Sequence, residues 1–407
     1  MTVKTAKRIL LTLAVAATLA GGSGWEGARA DSKWALVFLG DRMWSGDVRA
    51  TSLGSDMQLL EDSLSLQHNT ATLSTIRKFT FTANVYFTSD RATSENYTET
   101  DGSFTFSSFS FAVPVMSRLT LGLGYKGRNN GASAFIYEDV TDGGKIFGQF
   151  YNRSGGLTSF PFTAGVHIAR FLQVGGYISV ERGNYEDRWD IIFKDPSYNS
   201  ANSTQTWDMR GTGYGASFVL KPPGGISLGV TWDREVEYDT EVRERFTNPI
   251  SDKNYKEQTL LPERLTVSGL WRYKNQFAFY GTWSYSDFTT FSGLAFPTDR
   301  LLAENIVSGG FEYLRGLPLG GKRFPIRLGA TYTELPYTFP AQEPIQSYMF
   351  ELGTGLKFRR GRGKLDLAIQ GGTTGNLSTN TMENRVIRIL IGVSGAEVWR
   401  RQRQTEF

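Results

Sequence analysis

Period-two alternation of apolar and polar residues recurs along this chain and constrains its fold more than any other feature. From Arg118 to Gly127 one side reads Leu119, Leu121, Leu123, Tyr125 and the other Thr120, Gly122, Gly124, Lys126. Gly225 to Asp233 sets Ile226, Leu228, Val230, Trp232 against Ser227, Gly229, Thr231, Asp233. Gln276 to Ser286 sets Phe277, Phe279, Gly281, Trp283, Tyr285 against Ala278, Tyr280, Thr282, Ser284. A strand sends successive side chains to opposite faces, so each stretch has one greasy and one wet face. Few other apolar residues remain to build an interior. The pattern predicts an all-β fold, a transmembrane antiparallel β-barrel with its apolar face turned to lipid. The soluble alternative is a secreted β-sandwich or β-helix. It is disfavoured because the alternation persists along the chain and no short repeat is present.

The strands are expected at 78–88, 103–113, 118–127, 157–169, 171–193, 204–220, 225–245, 257–273, 276–289, 302–315, 324–335, 347–359, 363–371 and 382–399. These make about 14 strands, an even number, as single-chain bacterial barrels require. Short connections, such as Lys274-Asn275, alternate with longer ones, of which 128–156 is the longest. Short periplasmic turns and longer outer loops are the usual asymmetry. The stretches 171–193 and 225–245 exceed the roughly ten residues that a span needs, so their polar ends should rise above the membrane.

The first thirty residues read as a signal peptide: Lys4, Lys7 and Arg8, an apolar run from Ile9 to Ala20, then Ala28-Arg29-Ala30 as a cleavage site. The alternative reading of this run is an N-terminal anchor helix, for which it is short. Removing residues 1–30 takes away four basic residues and one acidic one, so the net charge of +4 falls to +1. No nucleic-acid reading survives that subtraction. No other apolar run reaches helix-spanning length. The chain has no cysteine, which excludes disulfides, thiolate metal sites and a Cys nucleophile. High glycine (45 residues) and 14% aromatic residues suit spanning strands with aromatic girdles. The expected organisation is a signal peptide at 1–30, a hatch at 31–77, the barrel at 78–399 and a periplasmic tail at 400–407, all in the bacterial outer membrane. Within the hatch, Leu53, Met57, Leu60 and Leu64 fit one helical face, which predicts a partly helical plug in the lumen.

Several motifs, in order along the chain, resemble those of the outer-membrane long-chain fatty acid transporter (FadL-like) family, which includes aromatic-hydrocarbon channels. Leu53-Gly54-Ser55-Asp56 and the stretch Asp62 to Leu73 are similar to the family's hatch, with Asn69-Thr70-Ala71 standing where the family has Asn-Pro-Ala. Phe111-Ala112-Val113-Pro114 with Leu119 to Tyr125 is similar to its second hairpin, and Leu261 to Leu265 leading to Trp283-Ser284-Tyr285-Ser286 to its middle region. Gly309-Gly310-Phe311-Glu312-Tyr313 followed by Pro325 to Tyr332 is the most specific match. The resemblance implies fourteen strands around an N-terminal hatch. It also implies passive uptake of long-chain fatty acids or aromatic hydrocarbons, captured by outer loops, passed by the hatch and released sideways through the wall. This sequence departs from the family in its missing hatch proline and in the residues that follow Trp399.

Such a channel needs apolar walls and no acid, base, metal or cofactor. Phe135, Ile136, Tyr137 and Phe147 on the longest outer connection are candidates for ligand capture; packing between loops is the alternative. Met43 and Trp44 are the apolar hatch residues best placed to touch a ligand, against simple core packing of the hatch. Arg42, Arg49 and Arg77 could hold a head group, against pairing with lumenal acids; Arg42 is the candidate carried forward. His68, Asn69, Thr70 and Ala71 form the hatch motif. Enzyme readings are poor, because His68 and His167 are the only histidines and neither belongs to a nucleophile motif. Asp139 to Asp142 and Asp187 to Asp190 read as solvated charge, with Ca²⁺ binding or lipopolysaccharide bridging as alternatives. Expected partners are a hydrophobic small molecule, outer-membrane lipid and lipopolysaccharide, and the barrel-assembly machinery during insertion. A second function class is a non-transporting secretion-system or envelope scaffold with a periplasmic or secretion partner. A general porin is disfavoured because a plugged lumen conducts poorly.

Overall fold

In hydrocarbon every backbone N–H and C=O must find a partner within the protein, and a sheet satisfies this only by closing on itself. The computed structural model describes residues 39–397 apart from 44–46, 56, 61–68, 96, 143–144, 196, 247–251, 294–300, 339–342 and 359–361. The signal peptide, Trp44, Leu64, His68, Trp399 and the tail lie outside these residues.

The barrel has fourteen antiparallel spans, as the alternation predicts. They are β1 (Phe79–Ser94), β2 (Tyr97–Pro114), β3 (Leu119–Asn130, continued by Ser133–Asp142), β4 (Lys145–Ala169) and β5 (Leu172–Phe193). Next come β6 (Ala201–Leu220), β7 (Ile226–Asp233 and Val236–Phe246), β8 (Lys253–Leu261 and Arg264–Tyr273), β9 (Phe277–Asp287) and β10 (Ala303–Leu319). The last four are β11 (Lys322–Thr338), β12 (Pro344–Phe358), β13 (Gly363–Asn376) and β14 (Met382–Glu397). The closing seam pairs β14 with β1, from Met382↔Ser94 to Glu397↔Phe79.

The burial pattern inverts that of a soluble protein. On β5, Ile178 is 46% exposed while Ser179 beside it is 0%. Outward Leu228, Val267, Phe279 and Ile369 are likewise exposed, and inward Ser227, Ser268 and Gln370 are buried. Apolar residues facing out and polar residues facing in is what a lipid-spanning wall requires. At Lys274-Asn275 both residues have positive φ (49° and 50°) and Gln276 N–H donates to the Tyr273 carbonyl at 3.0 Å. This two-residue turn has the backbone twist that matches paired strands.

The connection 128–156 is not a loop. Ser133–Asp142 pairs with β4, Phe135 opposite Tyr151 and Ile136 opposite Phe150. The segment 89–102 is also largely strand, and 372–381 is strand followed by one helical turn, Leu377–Asn380. Above the membrane the outward face of a strand meets water while the inward face packs in the lumen, as at Tyr185, Tyr238 and Val242, so the lipid-facing alternation ends while the ladder continues. Polar stretches therefore read as loop in the sequence although they are paired.

The described parts of residues 39–76 lie in the lumen and touch walls on opposite sides. Asp41–Arg42 pairs with Asn130–Asn129 of β3. Helix α1 (Val48–Thr51) is capped by Asp47, whose Oδ1 accepts from Ala50 N–H at 2.6 Å, and it lies against β12, β13 and β14. A 3-10 turn at Thr70–Thr75 lies against β4, β5 and β6. Leu53, Met57 and Leu60 are fully buried, but they follow α1 as turn and extended chain. The helix expected across Leu53, Met57 and Leu60 is thus corrected to turn and extended chain; among the described residues of this segment the helical turns are α1 and the 3-10 turn. At Leu53–Gly54 and Thr70–Ala71 the backbone is instead seated directly on glycines of the wall. A Cβ on Gly310 or Gly329 would overlap the Leu53 backbone, and one on Gly175 would overlap Thr70–Ala71.

Gly175→Val should therefore unseat the 3-10 turn, at an overpacking cost of about 1–3 kcal/mol, without opening the wall. The expected result is a barrel that keeps its heat-modifiable gel mobility but is cleaved faster by trypsin at Arg77 and Lys78, which directly follow the turn. Equal resistance of wild type and variant would contradict this account.

Candidate functional site

The lumen is layered. Toward the outer end Leu157, Tyr185, Trp207, Met209, Tyr238, Val242, Phe288, Phe291 and Ile345 form an apolar core, with Leu39 packed in it. Tyr185 Oη donates to the Leu39 carbonyl at 2.9 Å.

At the middle level buried charges fill the lumen. Arg49 donates twice to Glu312, from Nε at 3.2 Å and Nη2 at 2.7 Å. Arg327 Nε donates to the same carboxylate at 2.9 Å and its Nη1 to Asp366 at 2.7 Å. Lys364 Nζ reaches Asp366 at 2.6 Å, and Tyr280 Oη donates to Glu312 at 3.1 Å. With buried Asp47 beside it, the group carries three cations (Arg49, Arg327, Lys364) and three carboxylates (Asp47, Glu312, Asp366). Burial is the largest influence on the Asp47 carboxyl and raises it above the ordinary carboxylate range. Next to this group Ser55 Oγ donates to Glu351 Oε1 at 2.8 Å and Gln370 Nε2 donates to the same oxygen at 3.0 Å. These bonds tie the N-terminal segment to the wall at this level.

Between the two layers lies a cavity of about 110 Å³. Leu39, Met43, Leu261, Phe288, Leu335 and Tyr337 form its apolar side; Lys126, Arg128, Arg264, Arg42, Asp233 and Glu304 form its charged side. Arg264 pairs with Glu304 at 2.6 Å, Arg42 with the same carboxylate at 3.4 Å, and Arg128 with Glu181 at 3.3 Å. Tyr177 Oη donates to Asp233 at 2.8 Å. Lys126 makes no ion pair among the described residues, which leaves one ammonium available at the cavity wall.

The cavity abuts a discontinuity in the wall. Ladder pairing of β2 with β3 runs from Pro114↔Thr120 only to Ser108↔Lys126. Beyond it the two strands part, and the edge of β3 is taken by Asp41–Arg42; Met43 N–H donates to the Arg128 carbonyl at 2.8 Å. A bulge at Ser107 turns both Ser107 and Ser108 inward, so Phe106 and Phe109 both face out. Their rings stack on Tyr125 at 6.0 and 5.8 Å, and Tyr125 meets Phe160 at 5.4 Å. The membrane side of the seam is thus aromatic. A second break, at Arg234–Glu235 of β7 and Pro262–Glu263 of β8, flanks the cavity on its far side. Pro262 has no N–H to give to a ladder.

Of the residues singled out in the sequence, Arg42 and Met43 line the cavity. Asn69, Thr70 and Ala71 form the seat of the 3-10 turn. Asn69 Oδ1 accepts from Ala71 N–H at 3.1 Å and its Nδ2 donates to the Phe218 carbonyl at 3.2 Å, while Thr70 Oγ1 bonds Ser217 at 2.8 Å. Arg49 belongs to the charge network, and Arg77 lies at the short-turn end, donating to the Ser117 carbonyl at 2.5 Å. Phe147 packs on Phe193 at 5.6 Å near the outer tip, and does not line the cavity. Phe135, Ile136 and Tyr137 have described backbone only, in the strand beside β4. Trp44 and His68 lie outside the described residues. Asp187 is not solvated as expected: it is buried and accepts from Arg153 Nε and Nη2, both at 2.6 Å. Lys126 and Asp233 carry the wall's contribution and were not singled out. The signal was present, since each is the last inward residue of its alternating stretch.

Glu312 is the centre of the network, and Glu312→Ala leaves Arg49 and Arg327 buried without it. Removing one partner of a buried pair costs about 3–5 kcal/mol. We expect a loss of that size in urea-driven unfolding, and a shift below ~1 kcal/mol would show the network to be dispensable.

The same architecture occurs in solved structures of low identity. A FadL homologue of Pseudomonas aeruginosa is 10% identical, covering 90% of this chain and 99% of its own, with a TM-score of 0.60. The Pseudomonas putida toluene transporter TodX is 12% identical over 88% of this chain and 100% of its own, with a TM-score of 0.61. The CymD monoaromatic hydrocarbon channel is 12% identical over 87% and 98%, with a TM-score of 0.56. The barrel is therefore FadL-like in fold, as the resemblance of its motifs implies. No curated protein matches the chain in sequence. Residues 6–259, more than half of the 407-residue chain, match the family model described as BamG, and the chain belongs to that family.

Proposed function

We propose that this protein is a non-enzymatic outer-membrane channel for passive uptake of hydrophobic small molecules. A ligand is captured at the outer end, enters the cavity beside the hatch formed by residues 39–76, and leaves sideways where β2 and β3 part. The observation that carries this reading is the position of the cavity. It joins an apolar roof to the wall discontinuity and lies above the charge network of the middle level. Lateral exit into lipid suits a ligand that water dissolves poorly, and the aromatic seam offers it a continuous apolar path.

Within this class, the lining favours a long-chain carboxylate over a plain aromatic hydrocarbon. Lys126 supplies an unpaired ammonium opposite Met43, Leu261 and Phe288. A charge-assisted bond from a partly buried cation contributes about 1.5–3 kcal/mol. A second reading, an envelope or secretion-system scaffold, is favoured by the density of buried ion pairs across the lumen. Buried charge of that kind fixes a conformation and leaves little space to conduct.

Extraction and mass spectrometry of ligands bound to the detergent-purified protein separates these readings. Enrichment of fatty acid in wild type, reduced about tenfold or more in Lys126→Gln, is the expected result. Equal retention of hydrocarbon by both would point to a neutral ligand. A folded barrel with nothing above the detergent background would overturn the channel in favour of the scaffold.

A further inference from the structure

The two ends of the barrel handle charge in opposite ways. At the outer end cations are paired with carboxylates two residues away on the same strand: Arg188 with Asp190 at 2.9 Å, Arg243 with Glu241 at 2.9 Å and Arg385 with Glu383 at 2.6 Å. At the short-turn end every connection carries a cation and none carries a carboxylate. Arg118 lies between β2 and β3, Arg170 between β4 and β5, Lys221 between β6 and β7, Lys274 between β8 and β9, and Lys322 with Arg323 between β10 and β11. The segments 77–78, 114–118, 170–171, 221–225, 272–276, 315–323 and 357–364 contain no Asp or Glu. Arg118, Arg170, Lys274, Lys322 and Arg323 are exposed, and no described carboxylate lies within ion-pair distance of them. Like charges arranged in a ring repel, and a folded protein keeps such an arrangement at a cost unless anions neutralise it.

The depth of the ring identifies the anion. Each cation adjoins a large outward apolar residue at the end of the belt: Arg118 is near Met116, Arg170 next to Phe171, Lys221 next to Leu220, and Lys322 near Leu319, which is 70% exposed. Lys274 Nζ lies 5.0 Å from the Tyr273 ring centre, folded back on an interfacial aromatic. Apolar stems in the hydrocarbon edge with charged heads beyond it is the arrangement of side chains at a lipid–water interface. A soluble acidic partner would meet the turns from below and would not need this apolar flank.

We propose that the short-turn end of the barrel is a ring-shaped binding site for anionic phospholipid head groups of the leaflet it faces, the periplasmic leaflet in the orientation given above. The recognised chemistry is a phosphodiester monoanion held by guanidinium and ammonium groups, with the acyl chains lying on the adjoining apolar residues. The site is separate from the cavity and independent of what the channel carries. Each cation near a charged surface is worth about fivefold in occupancy.

The test uses the full chain in nanodiscs of equal phosphatidylglycerol and phosphatidylethanolamine, with bound lipids counted by native mass spectrometry. Three proteins are compared: wild type, a short-turn variant (Arg118→Gln, Arg170→Gln, Lys274→Asn, Lys322→Gln) and an outer-end variant (Arg188→Gln, Arg243→Gln, Arg385→Gln). Heat-modifiable gel mobility checks folding, and Lys274→Asn with Lys322→Gln alone replaces the larger set if that fails to fold. Phosphatidylglycerol should be retained at least fivefold over phosphatidylethanolamine by wild type and by the outer-end variant. The short-turn variant should fall toward onefold, and the two-site variant to an intermediate value. No preference in wild type, or an unchanged preference in the short-turn variants, overturns the proposal. Capture of an acidic periplasmic protein by cross-linkers at Lys274 and Lys322, in the absence of any lipid preference, would do so in favour of a protein partner.

Discussion

The need to satisfy every backbone hydrogen bond within a lipid-spanning wall governs the rest of this structure. It forces closure of β14 on β1, and it dictates what happens where the wall is imperfect. Where β2 leaves β3 above Ser108↔Lys126, the exposed edge of β3 is taken by two residues from the N-terminal segment, Asp41 and Arg42. The same contact that repairs the ladder puts Met43 and Arg42 into the cavity. The seam and the site are one feature, because the chain that mends the first lines the second.

A wall that turns its apolar side to lipid must fill its interior with polar groups, and the lumen shows how that is resolved. Large charged side chains such as Arg327 and Glu312 are buried among partners of opposite sign. Desolvating so many charges is costly unless each is paired and hydrogen-bonded, and the near-balance of the Arg49–Glu312–Arg327–Asp366–Lys364 group meets that condition. Its effect is specificity of placement, since α1 fits only where Arg49 meets Glu312 and Ser55 meets Glu351. Lys126 breaks the balance at the cavity, and the short turns break it at the rim. These two departures are where ligand and lipid are expected to act.

The wall was legible in the sequence to within a few residues for most spans. Alternation in Leu119 to Lys126 or Phe277 to Tyr285 reports which side faces lipid directly, and Lys274-Asn275 marks a tight turn by itself. The outer extensions were legible where a span overran, at 171–193 and 225–245, but not at 128–156, where the outward face meets water and the lipid-facing alternation is lost while Phe135 and Tyr151 still pair. The lumenal segment was legible only in part. Leu53, Met57 and Leu60 are buried as their spacing implies, but their path follows glycine sockets at Gly310 and Gly329, not a helical repeat. A socket is made by other strands, so no local pattern announces it. Asn69-Thr70-Ala71 was found through its likeness to a family motif, and its bonds to Ser217 and Phe218 explain why that motif seats the turn.

By itself the sequence determined the barrel, its even strand number and the sides of its wall. Each of these is written in neighbouring residues, through the two-residue strand period and the short reach of a turn. The tertiary structure alone decided the seam between β2 and β3, the cavity and the partner of each buried charge. Arg49 and Glu312 are 263 positions apart, and Arg42 and Glu304 are 262 apart. Such pairs are fixed by strand register and by the curvature that brings distant walls together across the lumen. A local pattern holds no record of either.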